Sequence, residues 1–169
     1  MIKLFYSGTY KVRHEMINKE NVLEMLKDDI RSKIVGNVKN TVYASDGVIL
    51  KNNKNIMYIG GFYYEKQDKS KTICENIVSE ELKQIDNSDL VVVNLTKYSA
   101  IATISEMIYA AFKSKRMIIF CDPKITSYKV EGEYWFPIIT CKELNKNIEI
   151  KFVENEEEII EYVNKLGDV

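Results

Sequence analysis

Short runs of apolar, mostly β-branched residues alternate along the chain with stretches whose apolar residues recur at helical spacing. The run Leu90 to Leu95 lacks strict alternation of apolar and polar residues, a pattern typical of a strand covered on both faces by helices. Met117 to Cys121 repeats this pattern, and residues 104–112 between the two runs have the periodicity of an amphipathic helix. Such a β-α-β crossover predicts parallel strands. We therefore expect an α/β fold: a three-layer, mostly parallel open sheet of the flavodoxin-like or Rossmann-like type, with helices on both faces.

The same reasoning assigns the remaining segments. Further strands are predicted at 2–6, 56–59 and 148–153, and further helices at 16–30, 73–85 and 159–166. Thr72 and Glu75 have the spacing of a capping box at the start of the second of these helices. Residues 37–55 contain two short apolar pieces without a clear period and predict a hairpin or excursion, whereas Pro137 to Cys141 predicts a strand or strand edge. We expect one domain over residues 1–169.

Composition narrows the classes of partner. The chain has 169 residues, of which 46% are hydrophobic, enough to build a core. Its 24 basic and 25 acidic side chains give a net charge of −1 without long blocks of one sign, so charge gives no reason to expect binding to a nucleic acid polymer or to a membrane surface. No apolar run approaches the roughly 20 residues of a membrane span, and the amino terminus reads as a strand. These features predict a cytoplasmic protein with a small-molecule partner.

Metal and disulfide chemistry have little support in the sequence. The three cysteines are widely spaced, a pattern that fits neither a disulfide framework nor a zinc knuckle. The single histidine, His14, would have to carry any histidine-centred metal site or Ser-His-Asp triad alone. We expect inert core thiols and no metal or organic cofactor.

Three loops should meet at the carboxyl edge of the sheet, where open α/β sheets bind ligands. Glycines would allow the backbone to approach a ligand closely, aromatic side chains would offer a flat surface, and hydroxyl groups at a helix start would favour anions. This set of groups suits a nucleoside or nucleotide. The candidate binding residues in these loops are Ser7, Gly8, Gly60, Gly61, Phe62, Asn94, Ser99 and Thr103.

Glu106 is the candidate catalytic residue of this edge. A carboxylate there could attack an electron-poor anomeric carbon and form a glycosyl-enzyme, which splits one hard displacement into two easier ones. However, Thr103 and Glu106 also have capping-box spacing, and in that alternative Glu106 only bonds back to the backbone at the helix start.

The order and spacing of four motifs resemble the nucleoside 2-deoxyribosyltransferase family and its N-glycosidase relatives. That family has a strand ending in "aromatic-x-G-P-F", then "I-x-x-(A/S)-D", then "G-T-x-x-E-(I/L)-G-Y-A" and "K-P". The resemblance covers roughly residues 1–123, and its matching segments are 58–62, 85–92, 102–110 and 115–119.

The resemblance implies roles for individual positions. Glu106 matches the family's nucleophilic glutamate, and Glu81 falls where many relatives have an acidic residue that contacts the base. Phe5 and Tyr6 lie where the family has an aromatic residue near the nucleophile, and Ser7 and Gly8 where it has small residues beside the ligand. The resemblance also implies a homo-oligomer, because pockets in the family are often completed by a neighbouring subunit.

Three departures from the family pattern leave open whether the protein is a hydrolase, a transferase or a non-catalytic protein. Gly61 replaces a proline, Ala102 replaces a glycine, and Ala100 stands where base-exchanging members often carry an aspartate. Our first hypothesis is cleavage or exchange of the N-glycosidic bond of a nucleoside or nucleotide, by a hydrolase or a transferase. The alternatives are a non-catalytic nucleotide-binding or sequestering protein, and an interaction protein that uses exposed tyrosines and Trp135 as a partner surface.

Overall fold

The computed structural model describes residues 1–9, 22–42, 47–60, 70–97, 100–126 and 134–167. These residues form six strands and eight helices. In chain order the elements are β1 (Ile2–Gly8), α1 (Val22–Leu26), α2 (Ile30–Val35), α3 (Val38–Val42), β2 (Val48–Ile49), β3 (Ile56–Tyr58), α4 (Ile73–Asn87), β4 (Leu90–Leu95), α5 (Ile101–Phe112), β5 (Arg116–Cys121), α6 (Pro123–Thr126), α7 (Trp135–Leu144), β6 (Ile148–Phe152) and α8 (Glu156–Lys165).

The six strands form one sheet in the order β2-β3-β1-β4-β5-β6. All neighbouring pairs are parallel except β2 and β3, which pair antiparallel at one edge. The predicted mostly parallel α/β sheet is therefore confirmed. The strand order reverses between β1 and β4, whose register pairs Ser7 with Val93 and Gly8 with Asn94. The carboxyl ends of these two strands thus form the crevice in which doubly wound sheets bind ligands.

Two apolar layers cover the sheet. One packs side chains of β1, including Tyr6, against α2 and α8, and the other packs Phe5 and the opposite-facing side chains of β4 and β5 against α4, α5 and α7. All six residues of β4 are buried, as its unbroken apolar run predicts for a central strand covered on both faces. Consecutive residues of β1 therefore face different layers, since strand side chains alternate between faces.

The two longest helices begin differently. In α4 the predicted capping box is confirmed, because the Thr72 side chain accepts a hydrogen bond from the Glu75 N–H and the Glu75 carboxylate accepts one from the Thr72 N–H. In α5 the N-cap is Ala100, which has no capping side chain. Its N–H instead donates to the hydroxyl of Tyr134 at 3.1 Å, so a residue distant in sequence satisfies a free donor at the start of this helix.

Three local predictions were wrong. Pro137 to Cys141 lies inside helix α7, where the proline occupies the first turn and needs no hydrogen-bonded N–H. Of residues 37–55, predicted as a hairpin or excursion, Val38–Val42 form helix α3 and Val48–Ile49 form β2, which pairs with β3, so the hairpin alternative is wrong. Strand β1 extends to Gly8, two residues beyond the strand predicted at 2–6. Of the predicted helix at 16–30, residues 16–21 lie outside the described part of the chain, and the rest forms α1 and the start of α2.

No helix among the residues described here combines the length and apolar character needed to cross a membrane.

Candidate active site

A cleft at the carboxyl edge of the sheet contains two carboxyl groups. It encloses about 340 Å³ between the end of β1, helix α4 and the start of helix α5. Both Glu81 of α4 and Glu106 of α5 line it. The remaining lining residues are Gly8, Thr9, Cys74, Ile77, Val78, Ala100, Ala102 and Thr103.

Glu106 faces the end of β1 and not the backbone of its own helix. Its Oε2 accepts a hydrogen bond from the hydroxyl of Ser7, a fully buried residue near the end of β1. Helix α5 begins at Ile101, so Thr103 and Glu106 lie within the helix and not at N-cap and N3. The capping-box alternative for Glu106 is therefore wrong.

The two carboxyl groups share a proton. Their side chains are hydrogen bonded to each other, and this bond raises the pKa of Glu81 while it lowers the pKa of Glu106. Since two carboxyl groups can bond directly only through a proton, the pair holds one proton between the two groups. The carboxyl groups of α4 and α5 therefore act as one titrating pair.

Burial sets the protonation of this pair. Loss of solvent and the negative charge of Glu106 raise the pKa of Glu81 to about 8, although the charge of Arg31 opposes this shift. Burial also raises the pKa of Glu106, against the hydrogen bond from Ser7 and the charge of Arg31, which both favour its ionised form. A carboxyl group that keeps its proton near neutral pH beside one that accepts hydrogen bonds is the pattern of an acid and a nucleophile acting together.

The structure brings together some of the predicted site residues and separates others. Gly8, Glu81, Thr103 and Glu106 line the cleft, and Ser7 contacts Glu106 from behind it. Phe5 is buried in the core layer below the cleft.

Tyr6 and Asn94 belong to a different cluster of polar groups. The Tyr6 side chain packs in the layer formed with α2 and α8, and its hydroxyl accepts a hydrogen bond from Asn94 Nδ2 at 2.8 Å. The same amide lies 3.3 Å from Glu156, which also pairs with Lys97 at 2.6 Å. These residues hold the end of β4 to α8 and do not line the cleft.

The glycine-rich loop after β3 is only partly described. Gly60 does not line the cleft, and a side chain added to it would lie 3.4 Å from Phe5 and 3.2 Å from the Tyr58 hydroxyl. The absence of a side chain at Gly60 therefore lets Phe5 and Tyr58 pack close to the backbone. Gly61, Phe62 and Ser99 lie outside the described residues.

Sequence reasoning missed several residues of the site. Thr9 lines the cleft, and within the described structure its buried hydroxyl has no hydrogen-bond partner. The periodicity of residues 73–85 predicts a helix but does not predict the cleft, where Val78 of the same helix is 54% exposed. The spacing of Cys74, Ile77, Val78 and Glu81 at i, i+3, i+4 and i+7 is the signal that could have placed one wall of the cleft.

Metal-ligating side chains do not cluster in the described part of the chain. No three histidine, cysteine, aspartate or glutamate residues there converge in a way that could hold an ion. The polar side chains that line the described cleft are the carboxyl groups of Glu81 and Glu106, the hydroxyl groups of Thr9 and Thr103 and the thiol of Cys74.

Comparisons with known proteins relate the fold to two solved structures. No protein-family model matches the sequence, and no curated protein matches it. The structure of the CMP N-glycosidase BcmB from Clostridium botulinum is 12% identical, with a TM-score of 0.52 over 96% of this chain and 98% of that one. A conserved protein from Enterococcus faecalis V583 is 15% identical, with a TM-score of 0.50 over 98% of each chain. At these identities the similarity concerns the fold.

Proposed function

We propose that the protein cleaves the N-glycosidic bond of a nucleoside or nucleotide, with Glu106 as nucleophile and Glu81 as proton donor. The observation that carries this proposal is the hydrogen-bonded pair of Glu81 and Glu106 inside a cleft at the carboxyl edge of the sheet. The fold of a CMP N-glycosidase, which this chain resembles, supports the same class of reaction. The motif resemblance of residues 1–123 supports it independently.

The first step of the proposed reaction breaks the bond between C1′ and the base nitrogen. When substrate enters, the base replaces Glu106 as the acceptor of the Glu81 proton, which leaves the Glu106 carboxylate free to attack C1′. The bonding electrons leave with the base, the base takes the proton of Glu81, and an ester bond forms between C1′ and Glu106.

The second step releases the sugar. A water molecule attacks C1′, the carboxylate of Glu81 takes a proton from that water, and the ester bond to Glu106 breaks. In a transferase an incoming base would take the place of water. Both steps use the same pair: the first step takes the proton from Glu81 and the charge from Glu106, and the second step returns both.

Hydroxyl groups of the cleft would hold the substrate. The hydroxyl groups of Thr9 and Thr103 line the cleft beside Glu106, and that of Thr9 has no hydrogen-bond partner among the described residues. We propose that they bind the sugar or its phosphate, and that Ser7 orients the attacking oxygen of Glu106 through its hydrogen bond.

A chromatographic screen tests the proposed function. The purified protein is incubated with ribonucleosides, deoxyribonucleosides, their 5′-monophosphates and nicotinamide nucleotides, with and without an acceptor base. Glu106→Gln, which preserves shape but not charge, should lower base release about 10³-fold or more. The matched control is Glu143→Gln on α7, where the side chain is 78% exposed. Base release by Glu106→Gln at the unmutated rate would contradict the proposal.

A sequestering protein is the second candidate function. Ala100 and Ala102 line the cleft at positions where the resemblance implies an aspartate and a glycine, which removes one acid that could assist a leaving base. This candidate predicts retention of a nucleotide without product, and retention that survives Glu106→Gln. The same screen, combined with isothermal titration calorimetry of each variant, separates the two functions.

We also propose that the protein is a homo-oligomer. Val78 and Ile101 are 54% and 78% exposed on the two helices that flank the cleft, so a second subunit could cover both. Light scattering after size-exclusion chromatography should give a mass that is a multiple of 19.7 kDa. A mass of one chain at micromolar concentration would contradict this proposal.

A further inference from the structure

Arg31 is a buried cation close to the carboxyl pair but outside the cleft. It lies in α2, on the side of the sheet opposite to α4 and α5, and only 3% of it is exposed. A fully buried arginine is rare unless its donors are bonded. One hydrogen bond of Arg31 reaches the backbone at the end of β1.

The guanidinium of Arg31 fixes the backbone at the wall of the cleft. Its Nη2 donates to the carbonyl of Gly8, the last residue of β1. Gly8 lines the cleft and directly follows Ser7, whose hydroxyl bonds to Glu106. The guanidinium also lies 5.0 Å from the centroid of the Tyr6 ring, within the range of a cation–π contact.

Asp29 holds Arg31 in this orientation. Its carboxylate lies 3.3 Å from Arg31 Nη1 and accepts a hydrogen bond from the Arg31 N–H at 2.9 Å, which makes Asp29 the N-cap of α2. Asp29 is 2% exposed, so the pair is buried as a unit. One carboxylate thus anchors both the helix start and the guanidinium.

The charge of Arg31 acts on the carboxyl pair through the sheet. It lowers the pKa of Glu81 and the pKa of Glu106, against the effect of burial. The ionisable groups of the described residues that face it or share its surroundings are Asp29 on its own helix, Tyr6 on β1, Glu81 on α4, Glu106 on α5 and Glu156 on α8.

We infer that Arg31 is a positioning residue for the proposed reaction: from behind β1 it fixes the Gly8 carbonyl and keeps one negative charge on the Glu81–Glu106 pair. This inference rests on the proposed function, because it assigns Arg31 a role in readying the nucleophile. It adds a residue that does not itself line the described cleft. Without its charge, burial would favour a second proton on the pair, and Glu106 would lose its nucleophilic form.

The test uses a double variant that removes the buried ion pair of Arg31 and Asp29 as a unit. Arg31→Met alone would strand the Asp29 carboxylate, whereas Asp29→Asn/Arg31→Met keeps an N-cap side chain and removes both charges. Arg31→Lys keeps the charge with fewer donors and serves as the conservative variant. Asp29→Asn alone is the control for the cap.

The first readout is the pH profile of kcat/KM for base release. The acidic limb reports protonation of Glu106 and the basic limb reports loss of the Glu81 proton. Removal of a nearby cation should move both limbs to higher pH by about one pH unit, whereas Arg31→Lys should keep them close to their original positions. A lower rate with unmoved limbs in the double variant would overturn the inference, because a merely structural role predicts that result.

The second readout needs no substrate. In protein labelled with ¹³C at the glutamate carboxyl carbons, Glu81→Gln and Glu106→Gln assign the two signals, and both titrations should move upward in the double variant. Unmoved titrations would overturn the role of Arg31 whatever the enzyme turns over. Absence of turnover by the unmutated protein across the nucleoside screen would instead defeat the proposed function itself, so the two failures are distinguishable.

Discussion

Raising the pH from about 5 to about 9 should destabilise the folded protein through Glu81. In the folded state burial and the Glu106 charge raise the pKa of Glu81 to about 8, whereas an unfolded glutamate titrates near 4.5. Between these values the folded state holds a proton that the unfolded state has released. The free energy of unfolding therefore falls as the pH rises through this window, and the loss is complete once the pH exceeds the folded pKa.

The size of the effect follows from the width of that window. When one proton is bound in the folded state but not in the unfolded state, the free energy of unfolding falls by up to about 1.4 kcal/mol per pH unit. Over the window of Glu81 this amounts to a few kcal/mol, a large part of the roughly 5–15 kcal/mol by which domains are stable. Glu106 adds to it with the same sign, since burial raises its pKa as well.

Urea unfolding at a series of pH values measures this dependence. The unmutated protein should lose stability between about pH 5 and pH 9, and Glu81→Gln should lose much less, because glutamine has no proton to release. Glu143→Gln, an exposed position, should behave like the unmutated protein. Equal pH dependence in Glu81→Gln and the unmutated protein would refute the shared proton on which the site depends.

Three further substitutions test the surroundings of the pair. Ser7→Ala removes the hydrogen bond that favours ionised Glu106. The acidic limb of kcat/KM should therefore move to higher pH, and the rate at pH 6 should fall about tenfold. An unmoved limb would argue against that contact. Gly8→Ala would place a methyl group 2.9 Å from the Tyr6 ring. Thermal unfolding should show that the free energy of unfolding falls by about 1–3 kcal/mol. An unchanged melting temperature would contradict this packing. Thr72→Ala should cost about 1 kcal/mol in urea through loss of the capping box while base release is retained; a large loss of activity would show that the cap also shapes the cleft.

Local patterns predicted most of the fold because the central elements have strong periodicities. The buried run of β4 and the amphipathic stripe of α4 are long enough to be read without tertiary information. The failures fell on short elements. Helix α7 contains β-branched residues and a proline, and only its packing against α5 and β5, with Ile138 and Cys141 buried, distinguishes it from a strand.

The candidate site was predictable only where sequence position determines the location in the fold. Glu106 follows the central strand β4 by one loop, so its arrival at the carboxyl edge could be predicted. Ser7, the partner of Glu106 on β1, is 99 residues away in the sequence, however. Whether Glu106 bonds to Ser7 or caps its own helix depends on where α5 begins. That start is fixed by Tyr134, which accepts the Ala100 N–H. Arg31 acts through the sheet from another layer, and no local pattern signals such a contact.

Trapping of the proposed covalent intermediate tests the assignment of Glu106 as nucleophile. The protein is incubated with a 2′-fluoro-2′-deoxy analogue of its best substrate, which slows release of the sugar, and the quenched protein is analysed by intact and peptide mass spectrometry. We expect one sugar attached per chain, located at Glu106 and absent from Glu106→Gln. Release of the base with no attached sugar, or a sugar attached at another residue, would contradict the assignment of Glu106 as nucleophile.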